Sequence, residues 1–155
     1  MRECARLMVF GFLVAMIGLA AVVRADDKDA DKKDKGKLQG TWNAVSGESG
    51  GKEQPEAKEH SLIFKGDEFS VKKGDKVMVK GKFKIDSSKK PKTIDMDIAE
   101  GSDDVKGKTA EGIYKLEGDD LTWCVDEPGS GNRPKEFATK EGTKTMLVKL
   151  KREKK

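Results

Sequence analysis

An antiparallel β-barrel is the fold class this sequence predicts, and three observations predict it. From Leu38 onward the apolar residues recur with period two in short runs, which puts alternate side chains on one face of a strand. Gly-Asp and Gly-Lys steps separate the runs, and each supplies a glycine able to take positive φ. No segment after residue 25 carries the apolar spacing of an amphipathic helix. About nine strands at spacings of roughly ten residues would expose edges in an open sheet, and closure removes them. A meandering barrel of about 8–9 strands is therefore expected. A two-sheet sandwich is the alternative, because the same alternation serves two inner faces.

The elements follow in chain order. Gly40, Trp42 and Ala44 open the series, and Leu62 and Phe64 come next. Lys65-Gly66-Asp67 turns the chain into Phe69 and Val71, then Lys73-Gly74-Asp75 turns it into Val77, Val79, Phe83 and Ile85. A short helical or irregular stretch is expected at residues 54–58, ahead of this series. Ile94, Met96 and Ile98 alternate with Thr93, Asp95 and Asp97. Tyr114 and Leu116 face Leu121, Trp123 and Val125 across Gly118-Asp119. Phe137 follows a Pro- and Gly-rich loop at residues 128–134, and Met146, Val148 and Leu150 close the domain with Lys149 and Lys151 on the opposite face.

Residues 1–25 read differently. Arg2 and Arg6 form a positive head, residues 7–23 are an apolar run, and Val23-Arg24-Ala25 puts small residues at the cleavage positions. This is the pattern of a secretory signal peptide, so a secreted or periplasmic location is expected, with no stable membrane span after cleavage. The run is close to the lower limit of about 17 residues for a spanning helix, which leaves an uncleaved anchor as the alternative. Cys4 precedes the run, whereas a lipid-bearing cysteine would follow it. Residues 26–37, DDKDADKKDKGK, hold one alanine among interleaved charges and are read as a flexible linker that cannot offset its ordering entropy. The domain then covers residues 38–152, and residues 153–155 are a basic tail.

Length and charge set the outer bounds. The chain has 155 residues, 39% of them charged, with 32 basic against 28 acidic side chains and a net charge of +4. Residues 1–25 contain three Arg and one Glu, so their removal leaves +2. One domain fits this length, and near-cancelling charge argues against a nucleic-acid binder. In the basic stretch at residues 149–155, Lys149 and Lys151 fall on the outer face of the last strand, and aromatics that could stack on bases are assigned to inward positions. A monomer is expected.

Chemistry finds little support in the residues. Gly47-Glu48-Ser49-Gly50-Gly51 has the form of a nucleophile elbow, but no helix of the required length is expected after it and the only histidine, His60, comes nine residues after Gly51, so a loop explains the Gly and Ser content better. His60 is the single histidine and reads as a strand-entry residue. Cys124 is the one cysteine after residue 25, so it has no internal disulfide partner. It is read as a buried small hydrophobe, with a reactive thiol as the alternative. Sites built on imidazole and thiolate are thus unsupported, and no metal or cofactor is expected. Asp95, Asp97, Glu100, Asp103 and Asp104 are acidic enough to suggest calcium, but the first two alternate with apolar neighbours as the solvent face of a strand. No catalytic residue is assigned.

Four motifs carry a resemblance. They are Leu38-Gln39-Gly40-Thr41-Trp42, Pro91-Lys92-Thr93-Ile94-Asp95, Gly112-Ile113-Tyr114-Lys115-Leu116 followed by Gly118-Asp119, and the ending Leu150-Lys151-Arg152. Over residues 36–152 the chain resembles a family of small secreted domains abundant in planctomycete bacteria. The resemblance implies a lipocalin-like fold and no particular activity. Gly40 and Trp42 also resemble the lipocalin Gly-x-Trp signature, whose tryptophan closes one barrel end against an arginine near the end of the last strand. The resemblance implies Arg152 as that partner, with Arg133 a weaker candidate in a loop.

Two functions follow as expectations. In the first, the protein is non-catalytic and holds a small apolar or amphipathic ligand inside the barrel, against inward candidates Phe64, Phe69, Val79, Phe83, Met96, Tyr114, Trp123, Phe137 and Met146. Barrels of about eight strands can enclose one ligand or fill themselves. In the second, the core is filled and the protein is a structural or interaction module of the cell envelope. It would then act through loops at residues 47–58 and 127–134.

Overall fold

The computed structural model describes residues 25–155. The expected signal peptide therefore lies outside the described residues, except for Ala25. The described chain begins with a helix, α1 (Ala25–Leu38), and continues as strands β1 (Gly40–Ser49), β2 (Lys52–Glu53), β3 (His60–Lys65) and β4 (Glu68–Lys73). A 3-10 turn at Pro55–Glu59 separates β2 from β3, where a short helical stretch was expected. Strands β5 (Lys76–Asp86), β6 (Lys92–Glu100), β7 (Thr109–Glu117), β8 (Asp120–Val125) and β9 (Met146–Arg152) complete the domain.

Strands β3 to β9 pair in sequence order, each antiparallel to the next, with β1 beside β3. Pairing of β1 with β9, from Trp42 opposite Arg152 to Ser49 opposite Met146, closes the sheet. The result is an eight-stranded meander barrel, with β2 added as a two-residue pairing at the end of β1. One closed sheet replaces the two faces a sandwich would need. Val45 bulges from β1, because the register with β9 shifts between Ala44 and Ser46. The bulge returns Gly47 to the inner face, level with Val148. A Cβ at Gly47 would stand 2.3 Å from the Ala57 Cβ, so only glycine lets the 3-10 turn pack against β1.

The expected flexible linker at residues 26–37 is instead the body of α1, which lies across one end of the barrel. Its contacts are polar and recur at helical spacing. Asp31 accepts from the Ser87 backbone N–H at 2.6 Å and the Ser87 Oγ at 2.5 Å. Asp34, buried, accepts from Lys92 Nζ at 2.5 Å and Tyr114 Oη at 2.9 Å. Lys35 pairs with Asp67 and lies 5.4 Å from the Phe83 ring centroid, and Leu38 is fully buried. Positions 31, 34, 35 and 38 make one helix face. Apolar periodicity misses such a face because three of its four members are charged.

Candidate functional site

The two ends of the barrel differ in what fills them. At the α1 end, Trp42, Phe83, Ile94 and Tyr114 are at most 2% exposed. Phe64 and Phe83 meet edge to face at 4.7 Å between centroids, a favoured aromatic geometry. Trp42 donates from Nε1 to the Leu38 carbonyl at 2.8 Å, and the Arg152 guanidinium stacks 4.3 Å from its ring centroid. Arg152 Nη1 donates to the Gln39 carbonyl at 2.7 Å, its Nη2 donates to Lys37, and its Nε lies 3.4 Å from Asp119. Thus the arginine satisfies carbonyls left over where the helix ends. Gly40 makes the turn between helix and strand at φ +117°, in a region that favours glycine. Gly40, Trp42 and Arg152 thus meet at this end.

Toward the opposite end the inward side chains become smaller. Trp42 is succeeded by Ala44 along β1, Phe83 by Val79 along β5, Phe69 by Val71 along β4, and Tyr114 by Gly112 and Ala110 along β7. The space this taper leaves is a cavity of about 690 Å³. On the side of the packed end, Leu62, Phe69, Met96 and Leu150, all members of the core cluster, form its floor. Val71, Val79, Ile98, Trp123, Val125 and Val148 make its walls. Met78 and Met146, 40% and 42% exposed, stand at the mouth with Glu48, Glu56, His60, Asp104, Asp126, Glu127 and Lys144.

Trp123 is the polar exception in the wall. Its Nε1 is buried and has no hydrogen-bond partner among the described residues. The other tryptophan, by contrast, is fully satisfied.

Five of the nine inward candidates, Phe69, Val79, Met96, Trp123 and Met146, line this cavity. Phe64, Phe83 and Tyr114 are inward but belong to the filled half, away from the lining. Phe137 is a correction: it lies in the irregular β8–β9 connection, half-buried, and is neither in the core cluster nor in the lining. Period two assigned it a face where no strand exists. The carbonyls of its neighbours Glu136 and Ala138 instead lie 3.6 and 3.9 Å from the Cys124 Sγ. Cys124 alternates with inward Trp123 and Val125, so its thiol is on the outer wall, beneath this connection. Burial raises its pKa, which disfavours the nucleophilic thiolate.

The connection is held down farther along by Arg133. This side chain donates to the carbonyls of Ile94 and Gly112 at 3.3 and 2.8 Å and to Asp95 at 2.5 Å, with Glu111 at 3.6 Å. Asp97 accepts from Thr109 at 2.6 Å. Both aspartates are therefore occupied on the outer wall of the sheet. Among the described residues no three His, Cys, Asp or Glu side chains group as metal ligands. His60 begins β3 with Nδ1 3.1 Å from the Glu56 carbonyl, and Ser49 ends β1 opposite Met146 with no helix of elbow length after it. No helix among the described residues is long and apolar enough to cross a membrane.

Fold and cavity define a class: a closed antiparallel β-barrel, plugged at one end and open at the other onto an apolar chamber. No family model matches the chain, and neither the curated proteins nor the solved structures yield a significant match.

Proposed function

We propose that this protein is an exported, non-catalytic, lipocalin-like carrier that holds one small apolar or amphipathic molecule in the open half of its barrel. The cavity of about 690 Å³ carries this reading. Small-molecule sites typically occupy about 300–1,000 Å³, with mostly apolar walls and few polar groups. A filled barrel acting only through its loops would leave no such space. The export part rests on the leader-like residues 1–25.

Native mass spectrometry of protein purified from its own host tests the reading. The expected spectrum contains a stoichiometric small molecule that leaves on denaturation. Ligand-free protein that also takes up no apolar probe would contradict it.

A further inference from the structure

The mouth of the cavity carries a charge unlike that of the whole molecule. The chain is net +4, yet the ionisable lining consists of Glu48, Glu56, Asp104, Asp126 and Glu127 against Lys144 and His60. Lys144 is already committed, with Nζ 2.9 Å from Glu127 Oε1 and 2.8 Å from Oε2. No lysine or arginine among the described residues forms an ion pair with Glu48, Glu56, Asp104 or Asp126. Their observed partners are hydroxyls: Thr139 donates to Glu48, and Ser130 and Thr145 donate to Asp126 at 2.9 and 3.4 Å. Such bonds hold a carboxylate in place without neutralising it. A hydrogen bond from Ser102 also keeps the Asp104 carboxyl below its usual pKa.

Resting on the carrier reading, we propose that the ligand is a cationic amphiphile, with an apolar body in the chamber and an amine or quaternary ammonium head at the mouth. A carboxylate or phosphate head would meet a lining in which five carboxylates outnumber Lys144 and His60. An ammonium head instead supplies the missing charge. The apolar walls focus the field of these carboxylates on the opening, where a head group would rest. Met78 and Met146 add unbranched, polarizable side chains beside that position.

Calorimetric titration of the purified protein with three ligands of one chain length tests this: dodecyltrimethylammonium, dodecan-1-ol and dodecanoate, each below its micelle concentration and at low salt. The expected order is ammonium, then alcohol, then carboxylate, with the first about tenfold or more tighter than the last. That ratio should shrink in 0.5 M salt and in the Glu56→Gln/Asp104→Asn double variant. Dodecanoate binding as well as the ammonium, or a ratio unmoved by the double variant, overturns the charge preference and leaves the carrier reading intact. Failure of all three, the neutral alcohol included, overturns both.

Discussion

At the α1 end of the barrel, Trp42 is fully buried, satisfied at its nitrogen and covered by a guanidinium, whereas at the other end Trp123 borders open space with its nitrogen unmet. Both are inward residues on strands of the same sheet. The difference comes from what stands above each of them. Trp42 is covered by Leu38 and Arg152, while Trp123, between Tyr114 and Val148 in the sheet, lines the cavity with Val125 and Ala110. One closed sheet can thus provide a rigid base and a receptive chamber, because large side chains are concentrated toward one end.

The largest expected effect is at the packed end. Trp42→Ala should lower unfolding free energy by about 3–5 kcal/mol, read from urea titrations. Trp123→Ala should cost clearly less, because part of that indole already borders empty space. Equal losses would erase the distinction between the ends.

Asp34→Ala comes next. It strips Tyr114 and Lys92 of their carboxylate and should cost about 1–3 kcal/mol, with amide exchange accelerated first in α1. Unchanged exchange in the helix would mean that Asp34 does not hold it on the barrel.

A pH series probes the same end. Burial, followed by the Asp34 hydrogen bond, pushes the Tyr114 hydroxyl far above its usual pKa, and burial raises the Cys124 thiol. Folding thus favours the protonated form of both groups. Their contribution is fully present below the unfolded-state pKa values of about 9 and 10 and is lost as pH rises above them. The urea midpoint should fall between pH 8 and pH 10.5, and fall less in Tyr114→Phe. An equally steep fall in that variant would exclude Tyr114 as a source.

Filling the open end should separate binding from stability. Ala44→Leu adds volume to the chamber wall, so titration with a neutral amphiphile should weaken at least about tenfold while stability changes by less than about 1 kcal/mol. A large loss of stability would show that this half is already packed. The smallest effect belongs to Arg133→Ala, which should free the β8–β9 connection and raise the alkylation rate of Cys124, with a global cost of about 1 kcal/mol or less.

Much of the barrel is legible in the residues because its determinants are local. Alternation at Ile94, Met96 and Ile98, or at Leu121, Trp123 and Val125, fixes an inner face directly, and the Gly-containing turns fix the hairpins. Helix α1 escapes that logic because Asp31, Asp34 and Lys35 acquire their value only from Ser87, Lys92, Tyr114 and Asp67, distant partners that no local pattern reveals. The chamber is an intermediate case. Its floor and wall residues are recognisably inward, but their division into filled and open halves depends on strand direction. Trp42 before Ala44 on β1 and Phe83 after Val79 on β5 become the same taper only when the antiparallel order is known. The mouth was the least visible part, since Glu56, Asp104 and Glu127 come from three separate connections.

The central claim, one base and one chamber in a single barrel, is tested most directly by the two indole N–H signals in a nitrogen–proton correlation spectrum. A neutral amphiphile such as dodecan-1-ol should shift the Trp123 signal saturably at one equivalent and leave Trp42, bonded to the Leu38 carbonyl, in place. A still Trp123 signal, or both signals moving together, would contradict the account.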